Sequence, residues 1–126
     1  MSYILKGHSL ADAYRIRIGG SRLILSFQTT AELLAWSRIR HWGEKNRARL
    51  GEFIGNCIVV PVTTQLTEVY ATIRAEAERR GKSGHTGDVW IAATALLYDV
   101  PLVSHNRKHF EWMTSIGLHL ITEALD

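Results

Sequence analysis

The sequence predicts an α/β fold in which a central parallel sheet carries helices on both faces. Two patterns lead to it. Short runs of aliphatic and β-branched residues alternate with longer stretches of helical period, which implies parallel strands joined through helices. The stretch Asp88–Tyr98 is apolar almost all round, as a helix is when it lies between a sheet and another layer.

Each element has its own warrant. Gly19-Gly20-Ser21 punctuates a turn before the β-rich run Leu23–Phe27, and Thr29–Trp42 then reads as a helix. Thr29, with Glu32 three residues on, has the form of a capping box. Arg47–Ile54 reads as a short helix with Leu50, Phe53 and Ile54 on one face, and Ile58–Val62 as a second buried strand. Over Thr64–Arg80, Leu66, Val69, Tyr70, Ile73 and Ala77 form an apolar stripe opposite Glu68, Glu76, Arg79 and Arg80, the pattern of a surface helix. Pro101–Ser104 and Leu118–Ile121 supply two more short strands.

Composition bounds the class of protein. The 126 residues are expected to form one domain, 1–126, since the chain is too short for a second independent core. A hydrophobic content of 46% with 21% charged residues excludes a disordered chain. The net charge of +3, from 15 basic and 12 acidic residues, gives weak support to a polyanionic partner. The single cysteine, Cys57, excludes an internal disulfide and reads as a small buried apolar residue in a reducing compartment. No apolar run approaches the roughly 18 residues of a membrane span, and the first ten residues lack a signal peptide's apolar core, so a cytoplasmic protein is expected.

Three polar positions fall where an open α/β sheet gathers its ligands, beyond the carboxyl ends of the strands. Glu32 lies in the first helix after the strand at 23–27, Asp88 starts the buried helix, and Asn106 follows the strand at 101–104. Carboxylates on one rim repel unless a cation neutralises them, and such hard oxygen ligands suit Mg²⁺, with Mn²⁺ as the other candidate. The chemistry implied is phosphodiester hydrolysis. Each residue also has a plainer role: Glu32 closing the capping box, Asp88 capping its helix, Asn106 bonding its own turn.

The run Asp88-Val89-Trp90-Ile91-Ala92-Ala93-Thr94-Ala95, the later Pro101-Leu102-Val103-Ser104-His105-Asn106-Arg107-Lys108-His109-Phe110 and the upstream Thr30-Ala31-Glu32-Leu33 together resemble the PIN-domain ribonucleases, specifically the VapC-type toxins of bacterial toxin–antitoxin pairs. The resemblance covers nearly the whole chain. It implies a three-layer α/β/α fold and a metal site at Glu32 and Asp88 with Asn106 beside it. It further implies Mg²⁺-dependent cleavage of RNA, an antitoxin that covers the site, and a homodimer; a hydrophobic groove between the first helices is the place expected to receive the antitoxin. Such toxins open with a strand that ends in Asp-Thr-Asn, whose Asp is a metal ligand. This chain lacks that motif, and Met1–Gly7 resembles the helix that follows it, so the first strand is expected to be missing. A second reading follows: a truncated, inactive PIN-like protein that only binds the antitoxin or dimerises. A DNA-directed nuclease is a third.

Among the basic residues, Arg107 and Lys108 sit beside the proposed site and are candidates for RNA phosphates. The cluster Arg38, Arg40, His41, Lys45, Arg47 and Arg49 reads as a solvated face. With a single cysteine beside the six histidines, a zinc site is not expected. Trp36, Trp42, Trp90 and Trp112 read as core or interface residues rather than base-stacking platforms.

Overall fold

A computed structural model of the chain describes residues 2–5, 22–82, 84–104 and 107–121. Strand β1 spans Ser2–Leu5, and Arg22–Ser26 forms β2, which runs directly into helix α1, Phe27–Ile39. Helix α2 covers Glu44–Gly55, β3 Ile58–Val60, α3 Thr64–Arg79 and α4 Thr86–Tyr98. Then come β4 (Leu102–Val103), a single turn α5 (Arg107–Phe110), a 3₁₀ segment Glu111–Ile116 and β5 (Leu120–Ile121). The five strands are parallel, in the order β3-β2-β1-β4-β5.

Alternation along the strands separates the two faces. Leu23, Leu25 and Val103 point into one core with Leu33 of α1 and Leu50 and Phe53 of α2. Ile24 and Leu102 point into the other, with Leu66 and Ile73 of α3, Val89–Ala95 of α4, and Phe110 and Met113. The expected three-layer α/β/α architecture is the observed one. Trp90 adds to the second core through Tyr70, stacked at 4.1 Å between centroids, and Phe27, edge-on at 5.1 Å.

The strand expected to be missing is present. Ser2–Leu5 pairs with β2 through Ile4↔Ile24 and with β4 through Leu5↔Val103, and so occupies the centre of the sheet. A run as short as Tyr3-Ile4-Leu5 carries no period that separates strand from helix. Its tertiary setting, with a ladder on each side, decides the matter.

Other boundaries moved for local reasons. Helix α1 starts at Phe27 because Ser26, not Thr29, is its cap: the Ser26 side chain accepts from the Thr29 backbone N–H at 3.1 Å. It ends at Ile39 rather than Trp42 because His41 turns into the left-handed region, φ 51°, and the Trp42 N–H returns to the Ser37 carbonyl at 3.0 Å. Strand β3 lies at the sheet edge and buries only Val60; Ile58 and Val59 are exposed. Cys57 is half-buried against the α1–α2 core.

Candidate active site

The right-handed crossover of β-α-β units sends α4 back antiparallel to the strands, so its start lies at the carboxyl edge of the sheet. Helix α1 begins at that same edge, since it continues β2 without a loop. The two helix starts meet at Gly87. A Cβ there would come within 3.1 Å of Gln28 Nε2 and 3.5 Å of Glu32 Oε1, so glycine permits the close approach. Glu32 thus sits against the residue that precedes Asp88.

Asp88 is buried, with 6% of its surface exposed, in the first turn of α4. It is not the cap, which is His85. There the partial positive charge of the helix start favours its carboxylate. His109 Nδ1 lies 2.8 Å from Asp88 Oδ2. An ionised carboxylate only accepts, so the Nδ1–H donates and the ring is fixed in that orientation. Glu32 is half-buried and accepts from Gln28 Nε2 at 3.0 Å, one helical turn before it. Its reach is therefore set by α1's own Ser26 cap, not by a capping box at Thr29.

Of the residues singled out from sequence, Glu32 and Asp88 lie at the same edge, Glu32 against Gly87 and Asp88 next after it in α4. Asn106 lies outside the described residues. Arg107 is exposed and donates to Glu111 Oε1 at 3.2 Å, whereas Lys108, also exposed, turns into a cavity beside His109. Sequence reasoning missed Gln28, Gly87, His85 and His109. Gln28 was findable from its i, i+4 spacing to Glu32; His109 entered only as one residue of the stretch Pro101–Phe110, and its bond to Asp88 is a tertiary contact with no sequence signature. Two carboxylates at one edge can hold a cation that keeps most of its waters, as Mg²⁺ does. Among the described residues, no group of three or more His, Cys, Asp and Glu converges, so a dedicated protein cage is not formed there.

A family model for the PIN domain matches residues 1–112. The chain belongs to the PIN-domain family. This PIN domain is 27% identical over 109 residues to Ribonuclease VapC2 of Haemophilus influenzae, covering 86% of the chain and 83% of that protein. Among solved structures, the DNA-bound VapBC of Salmonella typhimurium superposes with a TM-score of 0.79 at 25% identity, covering 96% of this chain and 97% of that one. VapBC-1 of nontypeable Haemophilus influenzae gives 0.76 at 24%, with 96% and 97% covered. The resemblance to VapC-type proteins read from the sequence motifs is thus found in the fold and in curated relatives alike.

In sequence, Lys6, Gly7 and His8 follow the last residue of the central strand, Leu5, and lie outside the described residues. The Asp-Thr-Asn that the resemblance implied after this strand is not the sequence found there, which reads Lys6-Gly7-His8.

Proposed function

We propose that this chain is a metal-dependent endoribonuclease acting in the cytoplasm as the toxin of a toxin–antitoxin pair. The observation that carries the reading is the meeting of Glu32 with the start of α4, where buried Asp88 is held by His109, at the ligand-binding edge of a PIN-domain sheet. The relatives' names support the rest: one is a ribonuclease and the superposed structures are VapBC complexes.

Glu32 and Asp88 are the residues that would hold Mg²⁺ or Mn²⁺, which when bound supplies a polarised phosphoryl oxygen and an acidified water. Asp88 presents its carboxylate from a rigid, buried helix, and His109 fixes its rotation. Glu32 adds the second negative charge. Asn106, by its place after β4, is proposed to orient water. Arg107 and Lys108 are proposed to bear on the RNA backbone. A cleft of about 190 Å³ between α1 and α2, lined by Leu34, Ser37, Arg38, Arg47, Leu50 and Gly51, suits a helix of an antitoxin. Trp36 and Ile39 leave apolar surface exposed on the same helix, and Val59 and Val62 do so at the β3 edge, surface that an antitoxin or a second copy would cover. Among the described residues no helix is long and apolar enough to cross a membrane.

Lys6, directly after β1, favours one second reading: a PIN domain that binds its partner but does not cleave. Cleavage of labelled RNA with Mg²⁺, Mn²⁺ or EDTA separates the two, and Lys6→Asp sharpens the test. If an ammonium at that position is what disables the site, Lys6→Asp gains Mn²⁺ binding measurable by calorimetry; a site already competent cleaves without the change.

A further inference from the structure

A cavity of about 340 Å³ opens on the other partner of the Asp88 bond: its walls are Lys82, His85, Lys108, His109, Glu111 and Trp112. The elements that build it come from distant parts of the chain. Gly81, at φ 65°, closes α3 with the Lys82 N–H returned to the Ala77 carbonyl at 2.8 Å, and this turn sets Lys82 on the rim. The loop into α4 brings His85, whose ring lies 5.0 Å from that of His109. Helix α5 and the 3₁₀ segment supply the rest.

The cavity's charge is one-sided. Among the described residues neither Lys82 nor Lys108 makes an ion pair, while the carboxylate in the wall, Glu111, is already bonded to Arg107. Behind the wall, Arg80 lies over the Trp112 ring at 5.7 Å and is paired with Glu76 at 3.8 Å. The Trp112 ring forms part of the wall, and its indole N–H is buried without an acceptor among the described residues. Lysines and imidazoles are groups that meet anionic oxygens, and a cavity of this size takes a phosphate with part of its nucleoside.

We propose that this cavity is a phosphate subsite for single-stranded RNA, holding a backbone phosphate next to the one presented to Glu32 and Asp88. His109 joins the two, with Nδ1 on Asp88 and the rest of its ring in the cavity wall. The inference rests on the ribonuclease reading and extends it to Lys82, His85 and Trp112, which that reading leaves unused.

The test is binding without catalysis. A fluorescein-labelled single-stranded RNA is titrated by anisotropy in EDTA across a range of salt concentrations. The proteins are wild type, Lys82→Ala/Lys108→Ala and, as a charge-matched control, Lys45→Ala/Arg49→Ala on the exposed part of α2. The lysine variant is expected to bind about tenfold more weakly at low salt, and its slope of log K against log salt to fall by about 1.4, two phosphate contacts at roughly 0.7 each. The control keeps the wild-type slope. Equal losses in both variants, or an unchanged slope in the lysine variant, overturn the subsite and the Lys108 contact with it, and leave standing the cleavage at Glu32 and Asp88. A folded wild type that binds no RNA overturns both.

Discussion

Asp88 shows how one side chain serves two ends. Its carboxylate is buried, favoured by the start of α4 and bonded to His109, so it is both a local anchor and the best-positioned acid in the molecule. The two roles separate by substitution. Asp88→Asn keeps an acceptor for His109 and loses the charge, which costs the helix roughly 0.3–1 kcal/mol and a few degrees in Tm. RNA cleavage should fall further than the 10–100-fold typical of losing a ligand's outer partner. A variant that unfolds while its residual folded fraction cleaves normally would assign Asp88 to stability alone. His109→Ala removes that outer partner, and we expect cleavage down about 10–100-fold with Tm little changed, since the His109 side chain is 43% exposed. That Asp88 and Glu32 share an edge was legible from strand and helix order; the His109 contact was not, because nothing local to either residue encodes it.

At the scale of elements, capping decides where side chains land. Ser26 ends β2 in extended backbone and receives the Thr29 N–H, so α1 starts with no intervening loop and Glu32 falls on the turn that faces Gly87. Thr63 caps α3 in the same way, accepting from Leu66 N–H at 3.1 Å, but α3 carries no residue of the acid pair. Ser26→Ala and Thr63→Ala should each cost about 1 kcal/mol in urea denaturation. Only Ser26→Ala should also slow cleavage, because fraying its first turn moves Glu32. Equal activity in the two variants would show that α1's cap does not position the acid. The capping signature was visible in the sequence, yet placed at Thr29, since Thr29 and Glu32 satisfy the spacing rule and a serine inside a strand-like run does not announce itself as a cap. The periodic helices α3 and α4 were legible because a long apolar face leaves little ambiguity.

Across the whole molecule, the sheet brings together residues far apart in sequence, and its centre is β1. A strand with ladders on both sides has no solvent-facing backbone N–H to spare, so Ile4→Pro should lower the thermal midpoint by more than about 5 °C. A chain whose first residues lay outside the sheet would tolerate it. This strand was the least legible part of the fold: three apolar residues without a period read equally well as the start of a helix, and the Asp-Thr-Asn expected from the resemblance does not follow them, where the sequence reads Lys6-Gly7-His8. The layers themselves were legible because the unbroken apolar run Leu23-Ile24-Leu25 in β2 and the all-round apolarity of α4 each demand a cover on both sides.

The most direct measurement is cleavage of an end-labelled single-stranded RNA by wild type and Asp88→Asn, each with Mg²⁺, with Mn²⁺ and with EDTA. We expect wild type to cut in either metal, to stop in EDTA, and the variant to leave the RNA intact under all three conditions. A folded wild type that leaves the RNA uncut in both metals, or an Asp88→Asn protein that cuts as fast as wild type, would contradict a metal-dependent ribonuclease built on Glu32 and Asp88.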